Sequence, residues 1–232
     1  MWRRRFRALI VDFGGVLTTS IDEAFRSFCE AEGIDHERLK GVLRASYGVG
    51  TDPDPLVARM ETGRMDRREF ERRLAEALSE DLDHPLDPTD LLSRMLGGVH
   101  FDLRMVKAVH ASRRRGVKTA LLSNSWGVEP YPRQLLDELF DAVVISGEVG
   151  IRKPDPEVFR LAAGRLGLPP GACVFVDDVE GNVKAARGVG MRGLVHEHAE
   201  RTVPRLERLL RVTLEEPPDP GAAASISGEV YR

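Results

Sequence analysis

The chain is 232 residues long, 42% hydrophobic and 31% charged, with a formal net charge of −3. That near-balance excludes a nucleic-acid binder held by bulk charge, and a chain of this length buries a core without staples. The only cysteines, Cys29 and Cys173, stand far apart without metal spacing, as expected of two reduced core thiols in a reducing compartment.

Met1–Arg7 carries the charge of a secretory leader's first segment, but the apolar run after it, Ala8–Val11, ends at once in Asp12. No small-residue cleavage site follows, and no stretch approaches the roughly 18 apolar residues of a membrane span. The expectation is a cytoplasmic chain with a solvated basic tip and no membrane partner.

Ala8–Val11 is continuously aliphatic rather than alternating, the pattern of a parallel strand buried on both faces. From residue 20 to 98 no convincing strand follows. Ile21–Glu32, Glu37–Tyr47, Leu56–Glu61, Asp66–Leu78 and Asp87–Leu96 instead carry apolar residues at helical spacing. Asp66, with Glu69 three residues on, has the form of a capping box. Residues 20–98 are therefore expected to be an all-helical insertion in a core of residues 1–19 and 99–214. Beyond it, helix Leu103–Arg115, strand Thr119–Leu122, helix Arg133–Leu139, strand Ala142–Ile145, helix Glu157–Gly167, strand Cys173–Val176, helix Asn182–Gly188 and a weaker strand Gly193–Val195 alternate. That alternation predicts an α/β, Rossmann-like doubly wound parallel sheet. Glu215–Arg232, rich in Pro, Gly, Ala and Ser, predicts a disordered tail.

Three of the aliphatic runs end in polar residues: Asp12, Ser123 and Asp177-Asp178. In an open α/β sheet the carboxyl ends of the strands form the ligand crevice, so these distant groups should converge. Asp12 opens a glycine-containing turn and fits a nucleophile, a metal ligand or a strand-end acid satisfied by local amides. Adjacent Asp177 and Asp178 repel unless a cation or hydrogen bonds offset them; hard oxygen ligands suit Mg²⁺, while the acids also fit a helix start. Lys153, in a proline-rich loop, is placed to offset anionic charge. Ser123 and the amide of Asn124 can bind phosphate oxygens or cap a turn. Asn182 either orients the acidic loop or lies on the surface. His196 and His198 read as an exposed pair near a helix start rather than metal ligands, since no third ligand accompanies them. Arg113–Arg115 read as a solvated helix end, and Trp126 as lining the crevice or packing under the insertion.

Taken together, Asp12-Phe-Gly-Gly-Val16, Leu121-Leu-Ser-Asn-Ser125, Gly150-Ile-Arg-Lys-Pro-Asp-Pro156 and Phe175-Val-Asp-Asp178 resemble the motifs of the haloacid dehalogenase-like superfamily, over nearly the whole chain except the tail. The resemblance implies a helical cap over the α/β core and a Mg²⁺-dependent hydrolase of small, sugar-phosphate-like monoesters, acting as monomer or homodimer. It implies Asp12 as nucleophile, forming an aspartyl-phosphate. Ser123, Asn124 and Lys153 would grip the phosphoryl group. Mg²⁺ would be held by Asp12, the Gly14 carbonyl and Asp178, with Asp177 behind them or as an alternate ligand. One position departs from the pattern: most phosphatases of the family carry a second Asp, the general acid, where this chain has Gly14. A good leaving group, a substrate hydroxyl or water would then suffice, as in sugar-phosphate members with glycine there. Phosphonate-cleaving members use a cap lysine, and Lys40 is in a different setting. Dehalogenating members need no metal, which leaves Asp177-Asp178 superfluous. A retired, purely binding version is the remaining alternative.

Overall fold

Each of the five aliphatic runs forms a strand in the computed structural model, which describes residues 6–46, 55–80, 82–126 and 131–214. They are β1 (Ala8–Val11), β2 (Lys118–Ser123), β3 (Ala142–Ile145), β4 (Cys173–Asp177) and β5 (Arg192–Val195). They pair in the order β3-β2-β1-β4-β5, every neighbour parallel. Central β1 is buried throughout and pairs Val11 with Leu121 on one side and Val176 on the other. One residue beyond, Asp12 on β1 is level with Asp177 on β4. The pleat sends alternate residues to opposite layers.

Leu9, Val11, Leu121, Val174 and Val176 pack with α6 (Leu103–Arg114), α7 (Arg133–Leu139) and α11 (Ala199–Leu210). Ala8, Ile10, Ala120, Leu122 and Phe175 pack with α9 (Pro156–Arg165) and α10 (Glu180–Gly188). A one-turn helix, α8 (Ser146–Val149), follows β3.

Between β1 and α6 stand α1 (Ile21–Glu32), α2 (His36–Ser46), α3 (Leu56–Glu61), α4 (Arg67–Ser79) and α5 (Leu91–Leu96). Their apolar stripes meet one another in a separate cluster, including Phe25, Phe28, Leu39, Phe70, Leu74 and Leu91. Ser20 and Asp66 cap α1 and α4 by accepting from the amides of Glu23 and Glu69. The chain leaves and re-enters the α/β layer through two antiparallel segments. Thr18 bridges Phe101, the Thr19 amide donates to the His100 carbonyl at 2.7 Å, and the Asp102 amide to Leu17 at 2.9 Å.

Some expectations need correction. Helix α5 begins at Leu91 rather than Asp87, because the Asp87 carboxylate accepts the Thr89 amide in a turn and Asp90 has φ 49°, outside helical space. Of α11 the sequence predicts only a start near His196 and His198; the helix runs from Ala199 to Leu210. His196 is buried, not exposed, its Nδ1 2.9 Å from Thr202 Oγ1, while His198 faces Glu200, so the two do not act as a pair. Arg113 is not merely solvated: it donates to the carbonyls of Asp137 and Glu138 and pairs with Asp141, pinning the end of α7. Cys29 and Cys173 are both buried free thiols. Met1–Arg5 and the tail Glu215–Arg232 lie outside the described residues. No described helix is long and apolar enough to cross a membrane.

Candidate active site

The ends of β1 and β4 and the loop between α8 and α9 bring four charged side chains, Asp12, Asp177, Asp178 and Lys153, to one point. Lys153 Nζ lies 2.7 Å from Asp12 Oδ1 and 2.7 Å from Asp177 Oδ2. All three are buried, and Lys153 keeps only 1% of its side chain exposed. Burial alone would pull the pKa of so enclosed an ammonium down. The charges of Asp12 and Asp177 together outweigh it and hold the pKa above the ordinary lysine value. Asp177 is fixed further: Asn182 Nδ2 donates to its Oδ1 at 3.1 Å and Oδ2 at 3.2 Å, and the Val179 amide donates to Oδ1 at 2.8 Å. Asn182 is thus a buried orienting group, not a surface residue. Both carboxylate oxygens of Asp177 are engaged, Oδ2 by Lys153 and Asn182 and Oδ1 by Asn182 and the Val179 amide.

Asp12, Asp177 and Asp178 each offer a carboxylate oxygen, and these oxygens lie within 4.8 Å of one another. Three acids against one ammonium leave an excess of negative charge. Burial, and then mutual repulsion, push Asp12 up to about 8 and Asp178 up to about 6; Lys153 pulls the other way on both. A hard divalent cation is the species that offsets such a cluster, so the donor set fits Mg²⁺. Gly15 makes room for the Asp178 carboxylate. Its φ is +71°, and a Cβ built there would overlap the Asp178 carboxylate. Gly15→Ala is therefore expected to destabilise the fold by about 1–3 kcal/mol and to weaken Mg²⁺ binding by moving Asp178. Thermal melts and a calorimetric Mg²⁺ titration check this; unchanged affinity would contradict the placement.

Ser123 ends β2 beside this cluster, and its hydroxyl lies 3.0 Å from the Tyr131 hydroxyl. Tyr131 packs edge-on against Phe13 at 5.0 Å, and burial pushes its phenol up to about 12, so it is a neutral hydrogen-bonding partner. The Asn124 side chain binds the backbone of Lys153 twice, accepting from its amide at 2.9 Å and donating to its carbonyl at 3.1 Å. It thereby fixes the loop that carries the ammonium. Gly14 lines the same cavity, and a Cβ on it would meet Ile21 Cγ1 at 3.3 Å. A side chain at this position would require Ile21 to give by a few tenths of an ångström. Lys40, by contrast, faces Asp22 and Glu37 and does not line the cavity.

Tyr131 has no sequence motif to announce it, and neither does Glu61, which ends α3 and is 1% exposed. The Glu61 carboxylate pairs with Arg152 and accepts from Asn124 Nδ2 at 3.3 Å, and its backbone carbonyl accepts from Ser146 Oγ. One residue thus ties the helical insertion to the Lys153 loop and to α8. Glu61→Ala is expected to cost on the order of 2–3 kcal/mol, at or below the low end for a buried pair because Arg152 keeps 20% of its side chain in water. It should also raise KM more than it lowers kcat; an unchanged melting temperature would rule this tether out.

Charged floor and helical insertion enclose a cavity of about 480 Å³, reached by Asp12, Ser123, Asn124, Lys153 and Asp178. Trp126 both lines it and packs on Phe25, ring centroids 5.8 Å apart.

The family description "haloacid dehalogenase-like hydrolase" matches residues 6–190. Bifunctional epoxide hydrolase 2 of Sus scrofa is 28% identical over 91% of this chain and 40% of its own length. The chain spans 19–40% of the length of the first curated relatives it matches. Fructose-1-phosphate phosphatase YqaB of Escherichia coli (strain K12) is 28% identical over 81% of this chain and 94% of that protein. A family enzyme of Bacteroides thetaiotaomicron, solved in complex with magnesium and inorganic phosphate, shares the fold, with a TM-score of 0.58 and 19% identity over 83% of this chain and 94% of that one. With four motifs meeting at the edge of one parallel sheet and a match across most of its length, the chain belongs to the haloacid dehalogenase-like hydrolase family.

Proposed function

We propose that the chain is a Mg²⁺-dependent phosphatase that hydrolyses small phosphate monoesters through an aspartyl-phosphate on Asp12. The observation that carries this reading is the contact of Lys153 with Asp12 and Asp177 at 2.7 Å, with Asp178 completing a hard-oxygen cluster beside them. An Asp12 oxygen attacks phosphorus; the bond from phosphorus to the ester oxygen breaks, and the alcohol leaves with that electron pair and takes a proton from water. A water molecule then attacks phosphorus, releasing inorganic phosphate and restoring the Asp12 carboxylate. Lys153 offsets the charge of the phosphoryl oxygens in the crowded transition state, and the Ser123 hydroxyl and Asn124 amide hold those oxygens. Asp177 keeps the ammonium aimed. Asp12, the Gly14 carbonyl and Asp178 would hold Mg²⁺, which when bound neutralises charge where nucleophile and phosphate meet.

The helical insertion, residues 20–98, is proposed as the cap that closes the cavity and excludes water. The buried thiols fit a cytoplasmic site of action, on a small phosphorylated metabolite. A dehalogenase does not need the acidic cluster, which favours the phosphatase reading. The test is phosphate release from a panel of monoesters with Mg²⁺ and with chelator, alongside 2-haloacids. Metal-dependent release supports the proposal; halide release without metal, or no phosphate from any ester, would overturn it.

A further inference from the structure

We propose that the cavity above the charged floor is a subsite for an apolar, ring-bearing leaving group, so that the substrates are phosphate monoesters of hydrophobic alcohols; this rests on the phosphatase reading above. The cavity has two unlike linings. Asp12, Lys153 and Asp178 form the part that would take the phosphoryl group. Much of the rest of the lining is apolar: Phe25, Leu43, Leu96 and Trp126, from α1, α2, α5 and the loop after β2, with Ile21 of α1 reaching to Gly14. Phe25 and Trp126 meet edge to face, at 67° and 5.8 Å, so this lining is pre-formed and presents aromatic surface. The charged groups described in that cavity away from the floor, Glu61 and Arg152, are engaged with each other.

A polyhydroxy leaving group set against these apolar side chains would exchange water for carbon. A ring gains contact area there instead. The space suffices: about 480 Å³ falls within the range of ordinary small-molecule pockets. Ile21 extends that apolar lining as far as Gly14, beside the nucleophile.

The experiment compares 2-phenylethyl phosphate with glucose 6-phosphate on the full chain with Mg²⁺. Both are esters of primary alcohols, so leaving-group acidity is closely matched. The expected kcat/KM is at least about tenfold higher for the phenylethyl ester, since one apolar contact group in such a pocket is worth roughly 10–200-fold. Trp126→Ala should lower that ratio about tenfold, mainly through KM. Equal or reversed kcat/KM, with both esters turned over, overturns the subsite and leaves the phosphatase reading standing. If neither ester releases phosphate, the phosphatase reading is judged on the wider panel of monoesters and the subsite by binding. Trp126 is then the reporter in a Trp2→Phe chain, titrated with 2-phenylethylphosphonate. Saturable change in its fluorescence supports an apolar subsite, and a flat titration overturns it.

Discussion

Asp12→Asn is expected to lower phosphate release by on the order of 10⁴–10⁶-fold while leaving the metal-free protein at least as stable as the unaltered one. The first half follows from chemistry: a neutral amide does not attack phosphorus. The second follows from the charge count at the strand ends. Asp12, Asp177 and Asp178 face a single ammonium. The carboxamide oxygen of the variant would keep the 2.7 Å bond from the Phe13 amide while one of three crowded negative charges is removed. Lys153 retains Asp177. Burial raises the folded-state pKa of Asp12 to about 8, from an ordinary 3.8. Its protonated form therefore favours folding below about pH 4, and that contribution is lost as pH rises through about 8. In chelator, the melting temperature of Asp12→Asn should gain on the unaltered chain across this window, and Mg²⁺ should stabilise the unaltered chain more. A variant that melts lower than the unaltered chain in chelator at pH 8 would contradict the charge argument.

Much of this site could be read in the sequence because its groups sit at the ends of strands buried on both faces. Such strands are uninterrupted aliphatic runs, so Asp12, Ser123 and Asp177 are conspicuous as the residues that end them. Their convergence follows from parallel order alone. Glu61 has no comparable signal. It lies on an amphipathic helix where an acid ordinarily faces water, and its partners Asn124, Ser146 and Arg152 are 63, 85 and 91 residues away. Only the docking of the insertion onto the core buries it. Tyr131 is hidden for the same reason, coming from a loop without periodicity and meeting Ser123 through the fold. Helix α11 is hard to see because Pro204 interrupts it, and interior proline ordinarily costs about 3 kcal/mol. Burial of Ala199, Val203, Leu206 and Leu210 on one stripe against the sheet outweighs that penalty. The start of α5 is displaced because turn chemistry at Asp87 overrides an apolar pattern that looks continuous.

Lys153→Met tests the other half of the charge arrangement and should be the most destabilising single change at the site. The substitution roughly conserves volume in a position with 1% of its side chain exposed, so lost packing contributes little. What remains are the carboxylates of Asp12 and Asp177, buried beside each other with the shared cation gone. Removing one partner from a buried charge cluster costs about 3–5 kcal/mol, which for a chain of this size lowers the melting temperature by on the order of 10 °C. Phosphate release should fall at least about 10²–10³-fold, because the fixed positive charge facing the phosphoryl oxygens is lost. The two effects separate with pH. Acidification lets the stranded Asp12 carboxyl take up a proton, so the stability gap should narrow toward pH 4, whereas activity should not return. Mg²⁺ supplies positive charge to Asp12 but does not replace the bond to Asp177, so it should recover only part of the stability. A Lys153→Met chain that melts within about 2 °C of the unaltered one at pH 7.5 would show that these carboxylates do not depend on the ammonium, and the proposed division of labour between Asp177 and Lys153 would fall with that result.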